Sequence, residues 1–332
     1  MEISNSENQP IIREDLGLYI SSETKTEIEN ITVTATVGIL DKRRGGRSYT
    51  QSGDLAVAKT EKGPFYYGVF DGMGGHSNDS KSARAAAKEI ALAYNRGVAT
   101  NVIPNTEDAI ALITEGFNNA QKEVVELNGG TTVALVVPTK ETDGKITNVI
   151  AWSGDSQVYL TRNGVTTLLT PTDNLISKYL LNDESRLEWD KKYLNCTTYT
   201  EFKDLMENIK GDLSPEAFDE ALIIILYKDL VNEYDYSSAW NMMQSLTSGL
   251  GSTSYDPELH IKKVDVNNGD VITICSDGLD PITLNEKDKI VQNSITQHNV
   301  VEGLLSQVDK VDGIRSKSDD CAVVSICFRI NG

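Results

Sequence analysis

Three apolar runs, rich in β-branched and aromatic residues, each carry a carboxylate at one end. Residues 65–70, Phe-Tyr-Tyr-Gly-Val-Phe, lead into Asp71-Gly72-Met73-Gly74-Gly75-His76, and residues 271–275, Val-Ile-Thr-Ile-Cys, lead into Ser276-Asp277-Gly278. Asp319-Asp320 opens the run from Cys321 to Phe328. Short apolar runs bounded by Gly and Asp read as buried strands. A carboxylate at the end of such a strand is costly unless something neutralises it, and divalent cations with oxygen ligands do this well. The chain therefore reads as a β scaffold that gathers acidic strand ends into a carboxylate metal site.

The order of the other segments narrows the fold. Residues 31–37 alternate with period two, and 55–58 and 65–70 read as a hairpin joined around Lys62-Gly63-Pro64. Residues 79–94 are helical, with Ala83, Ala86, Ala87, Ile90 and Tyr94 at helical spacing, and 106–127 form a second helix capped by Asn105 or Thr106. Strand runs follow at 131–137 and 148–152, and Asn163-Gly164 joins 157–161 to 165–169 as a hairpin. Residues 174–245 turn Lys-, Glu-, Leu- and Tyr-rich, with helix starts at Thr200 and Ser214-Pro215, and read as a helical insertion whose 222–226 segment is a buried helix face. Strand pattern resumes at 259–266, and a last helix covers about 297–309. Residues 1–30 read as a loose polar arm ahead of a domain at 31–330. Strands and helices do not alternate, so an α+β fold built on an antiparallel β-sandwich is expected rather than a doubly wound sheet.

Composition excludes several classes. A formal charge of −18 over 332 residues argues against nonspecific nucleic-acid or anionic-membrane binding. No apolar run approaches the roughly 20 residues of a membrane span, and the polar start Met-Glu-Ile-Ser-Asn-Ser is unlike a signal peptide. The four cysteines form no Cys-x-x-Cys; three sit in strand-like runs, which suits buried thiols in a reducing, cytoplasmic setting. There is no Gly-x-Ser-x-Gly elbow and no phosphate-binding Gly-x-x-x-x-Gly-Lys-Ser/Thr loop. With three histidines in the chain, zinc lacks its usual ligands, and an oxygen site favours magnesium or manganese. The glycines after Asp71 let the backbone approach an ion, so the Gly72 carbonyl can join Asp71, with Asp277 and Asp319 completing a two-metal cluster.

These residues resemble the bacterial-type metal-dependent serine/threonine protein phosphatases of the PP2C (PPM) family. Phe70 to His76 resembles the central motif, Gly130-Thr131-Thr132 the Gly-Thr-Thr strand start, and Gly154-Asp155-Ser156-Gln157 the Gly-Asp-Ser-Arg segment. Leu169-Thr170-Pro171-Thr172-Asp173-Asn174, Leu246 to Gly251, Ser276-Asp277-Gly278 and Ser318-Asp319-Asp320 follow in the family's order. The resemblance implies a two-sheet sandwich and hydrolysis of phosphoserine and phosphothreonine in proteins at a binuclear Mn²⁺ or Mg²⁺ centre, by a water that the metals activate. The substrate would be a phosphoprotein, with a Ser/Thr kinase as natural opponent. It further implies Asp71 bridging two metals, a Gly72 carbonyl ligand, Asp277 and Asp319 on the second metal, Asp155 at a third, and a flap over the site at 174–245.

The departures leave alternatives open. The family's opening Arg is matched by Arg47, a phosphate-binding candidate that also reads as part of a solvated basic turn with Arg43 and Arg44. The acidic residues after it fall on Gln51 and Ser52 in strict register, or on Asp54 after a two-residue slip. Met73 takes the place of a eukaryotic general-acid histidine, as in bacterial members, and His76 reads as structural. Asp320 replaces an Asn, Gln157 replaces an Arg at the expense of a structural contact, and Asp173-Asn174 reads as a turn in place of Asp-His. An inactive phosphoprotein-binding pseudophosphatase is the alternative to an enzyme, and a structural calcium site a third reading.

Overall fold

The computed structural model describes residues 11–13, 18–28, 31–42, 52–58, 66–73, 78–98, 102–174, 177, 182–208, 246–251, 257–294, 296–308, 310 and 319–330. Two antiparallel sheets face each other. The first contains β1 (Ile11–Arg13), β2 (Leu18–Ile20), β3 (Thr24–Ile28), β4 (Ile31–Leu40), β9 (Gln157–Arg162), β10 (Val165–Leu168), β12 (Val271–Cys275) and β13 (Cys321–Ile330). Its order is β1-β2-β4-β13-β12-β9-β10, with β3 also on β4. The second runs β11-β8-β7-β6-β5, from β5 (Leu55–Val57), β6 (Tyr67–Phe70), β7 (Val133–Lys140), β8 (Ile146–Ser153) and β11 (His260–Asp265).

Helices cover the outer faces. α1 (Asp79–Gly97) and α2 (Thr106–Glu126) pack on each other and on the second sheet, and α6 (Gln297–Val308) packs on β4 and β13 of the first. Every residue of β8 is buried, because one face meets the facing sheet and the other meets α2. Such two-sided burial erases the alternation a half-exposed strand would show. The expected α+β sandwich is therefore the observed architecture.

Local chemistry explains the boundaries. The Asn105 side chain accepts the Asp108 N–H at 2.8 Å and caps α2. Asn163 (φ 52°) and Gly164 (φ 74°) turn the β9–β10 hairpin in the left-handed region that Asn-Gly favours.

One expectation changes, and the structure adds to the others. Residues 11–28 are not a loose arm: they supply β1 to β3, and β3 pairs with β4 from Thr24↔Ala35 to Ile28↔Ile31. Helix α5 (Leu284–Asn293) went unread, although Thr283 and Glu286 form a reciprocal capping box at its start. The insertion yields α3 (Asp183–Tyr193) and α4 (Tyr199–Asn208), the latter at the expected Thr200 start; the Ser214-Pro215 start and 222–226 lie outside the described residues. Among the described residues no helix is long and apolar enough to cross a membrane.

Candidate metal centre

The sheet registers bring the acidic tips to one end of the sandwich. β5 and β6 run antiparallel with Leu55 opposite Phe70, so Asp54, before one strand, and Asp71, after the other, share an end. β12 and β13 pair Cys275 with Val323, which puts Asp277 and Asp319 together on the other sheet. Asp155 lies in the link from β8 to β9, where the chain passes between sheets.

Electrostatics ties the other four carboxylates to Asp71. Burial first, then the charges of Asp54, Asp277, Asp319 and Asp155, hold the Asp71 carboxyl well above its ordinary range. Asp54 is pushed up to about 8, by burial first and then by Asp319 and Asp320, although the neighbouring Ser276 and Asp71 side chains pull it partly back. Asp54 has no measurable exposure, and neither of its carboxylate oxygens has a well-formed hydrogen bond. Among the described residues, no three His, Cys, Asp or Glu side chains are already gathered into a coordination sphere.

Backbone contacts hold the acidic loops. The Thr132 N–H and the Thr131 hydroxyl donate to the Asp71 carbonyl at 2.8 and 2.9 Å, and the Asp71 N–H donates to Thr132 Oγ1. Gly72 donates its N–H to the Gly53 carbonyl, and a Cβ there would lie 2.5 Å from the Asp79 carbonyl oxygen, so no side chain fits. Met73 lies across Gly130 and Gly249, filling the space a side chain would take at either position. Thr131 and Leu250 exchange backbone hydrogen bonds, which docks the 246–251 segment beside the Gly-Thr-Thr strand start. Ser276 is tied to Ala322 through its N–H and its hydroxyl, which fixes the Asp277 turn on β13.

A second buried acidic group sits next to the first. Asp173, expected only to turn the chain, accepts Arg186 at 2.6 Å and His260 Nε2 at 3.0 Å on Oδ1, and the Gly154 N–H at 2.8 Å on Oδ2. Trp152 stacks on His260 at 5.0 Å between ring centroids. Asp190 of α3 accepts both the N–H and the hydroxyl of Thr172; burial nonetheless pushes it up to about 7. One cleft is lined both by Asp155 of the five carboxylates and by Asp190 of this group, with Asp280 and Tyr193.

Gln157, read as the loss of a contact, makes a new one. Its amide donates to Asp280 Oδ1 at 3.0 Å, its oxygen accepts the Tyr159 hydroxyl, and buried Lys287 donates to that hydroxyl at 3.0 Å. This chain holds Asp280 just beyond Asp277. Arg47, Gln51, Gly74, Gly75 and His76 lie outside the described residues, whereas Ser52 accepts the Asp54 N–H through its hydroxyl. Nothing local marks Asp190, because its partner Thr172 lies 18 residues back, outside α3.

The protein phosphatase 2C family model matches residues 38–174. That segment is PP2C-like. The match stops at 174. No curated protein matches. Among solved structures, the serine/threonine phosphatase of Staphylococcus aureus is similar, at 14% identity and TM-score 0.59, over 92% of this chain and 96% of that one. The Mycobacterium tuberculosis serine/threonine phosphatase PstP/Ppp is similar at 15% identity and TM-score 0.55, over 88% and 98%. The catalytic domain of PstP, in complex with two manganese ions, is similar at 17% identity and TM-score 0.52, over 90% and 99%. At these identities the likeness establishes the PP2C fold and nothing finer.

Proposed function

We propose that this PP2C-type chain hydrolyses phosphoserine and phosphothreonine in proteins at a centre of two Mn²⁺ or Mg²⁺ ions. The observation that carries the reading is that the strand registers bring buried Asp54, Asp71 and Asp155 to the same end of the sandwich as Asp277 and Asp319, all of one charge sign. The residues fit such ions: the donors are all oxygen, and Asp54 keeps two buried oxygens without well-formed hydrogen bonds. Asp71, the Gly72 carbonyl, Asp277 and Asp319 would hold the ions, with Asp54 beside them and Asp155 at a third. Bound there, the ions supply a water of lowered pKa and offset charge on the phosphoryl group.

The chain's own residues prepare that site. Thr131 and Thr132 fix the Asp71 backbone, Gly72 lets three backbone segments meet, and Ser276 locks the Asp277 turn to β13. We assign Arg47 to the substrate phosphate and the 174–245 insertion to a flap that selects the phosphoprotein, with a Ser/Thr kinase opposing the reaction. Buried Cys275 and Cys321 are free thiols, which suits a reducing cytoplasm.

The test is hydrolysis of p-nitrophenyl phosphate and of a phosphothreonine peptide with Mn²⁺, Mg²⁺, Ca²⁺ or EDTA, alongside D71N and D277N. Mn²⁺-dependent turnover that both substitutions abolish is expected. Folded, Mn²⁺-loaded protein without turnover would replace this reading with the pseudophosphatase, and stabilisation by Ca²⁺ alone with a structural calcium site.

A further inference from the structure

Asp320 stands where the family resemblance places asparagine, and its surroundings give the carboxylate a task that an amide cannot perform. Its Oδ1 accepts the Lys42 N–H at 3.0 Å, and its Oδ2 accepts the Gly53 N–H at 2.8 Å. The two donors come from different sheets: Lys42 follows β4, and Gly53 precedes β5. Asp320 is 3% exposed, so water cannot readily stand in for either acceptor. A carboxylate offers two acceptor oxygens, whereas an asparagine offers one and would point its NH₂ at the other N–H.

The segment that is gripped is the one that carries Asp54. The Gly53 carbonyl accepts the Gly72 N–H at 3.2 Å, and the Asp54 N–H is held by Ser52 Oγ at 3.2 Å. Arg84 of α1 donates to the Ser52 carbonyl. A Cβ on Gly53 would lie 3.3 Å from Asp320 Oδ2, so the grip is close. Asp320 also follows Asp319 directly, and its own N–H donates to Asp319 Oδ1 at 2.9 Å.

We propose that Asp320 is a positioning residue: its two oxygens clamp the ends of β4 and β5 and so set Asp54 against Asp319. The catalytic consequence rests on the phosphatase reading; the clamp itself does not. The experiment compares wild type with D320N in three ways. These are hydrogen exchange of the 52–54 segment without metal, Mn²⁺ affinity by calorimetry, and kcat against KM for p-nitrophenyl phosphate. In D320N, exchange at 52–54 should quicken about tenfold and Mn²⁺ should bind about tenfold more weakly. At saturating Mn²⁺ the kcat per folded molecule should fall while KM holds, whereas a general loss of stability would lower only the folded fraction. Unchanged exchange at 52–54 overturns the clamp, and quickened exchange with unchanged Mn²⁺ affinity and kcat overturns its positioning role. If wild type binds no Mn²⁺, the phosphatase reading fails and the exchange comparison alone decides the clamp. Should D320N not fold, D320S, which keeps one acceptor, takes its place under the same criteria.

Discussion

Two neighbouring sets of buried aspartates meet opposite fates. Asp173 and Asp190 have partners within the protein: Arg186, His260 and the Gly154 N–H for one, both donors of Thr172 for the other. Asp54 and Asp71 instead face Asp319 and Asp277, and both Asp54 oxygens lack a well-formed hydrogen bond. Buried charge is tolerated when it is paired, so the first set reads as structure. The second reads as a site whose neutralising partner comes from outside. Residue type is the same in both; what differs is the cations and amides that the fold brings up.

The largest contrast should appear in turnover. D71N and D277N should each lower Mn²⁺-dependent hydrolysis by more than about 100-fold while leaving a folded protein, as steady-state rates and circular dichroism would show. D173N should do the reverse, lowering the melting temperature and sparing most of the turnover per folded molecule. Equal losses of turnover in D173N and D71N would erase the distinction.

Next in size is Arg186, whose side chain is 14% exposed against 4% for its partner Asp173. R186M leaves a buried carboxylate with fewer partners and should destabilise by about 2–3 kcal/mol in urea unfolding. Mn²⁺ affinity should stay unchanged. A tenfold loss of that affinity would mean that the two sets are one unit.

The partnered set should also make stability depend on pH. Asp190 is raised from 3.8 to about 7 in the folded protein, chiefly by burial. Between these values the folded state holds more protons than the unfolded one, so this residue's contribution to stability falls as pH rises from about 4 to about 7. Melting curves across that range should flatten in D190N; an unchanged slope would remove Asp190 as the cause.

His260 gives the smallest effect. Burial alone would lower its pKa, but the hydrogen bond and charge of Asp173 outweigh this and raise it. The pairing therefore stabilises fully below the unfolded histidine value and fades as pH climbs through the raised folded one. H260Q should cost about 1 kcal/mol at pH 6 and less at pH 8, read from melts at both pH values; a larger loss at pH 8 would reverse the assignment.

Much of this fold was legible because its signals are local. Asn163-Gly164 marked a hairpin, Asn105 a helix start, and the runs at 65–70 and 271–275 proved to be strands closed by acids. Helix α5 carries a local signal too, the capping pair of Thr283 and Glu286. The strands at 11–28 were not legible: short polar runs such as Thr24–Ile28 become strands only because β4 offers an edge to pair with. The roles of Gln157 and Asp173 were misjudged for a related reason, since each depends on partners more than 80 residues away, Asp280 and His260.

The amino-acid sequence by itself determined the acidic strand ends, the order of the strands and helices from residue 31 onward, and hence an antiparallel sandwich with an oxygen-rich site. These follow from periodicity, turn chemistry and the cost of burying charge, all of which act along the chain. Only the tertiary structure decided which aspartates are spoken for. Whether a carboxylate meets Arg186 and His260, two backbone N–H groups, or other carboxylates depends on strand register across two sheets, and no run of neighbouring residues encodes that.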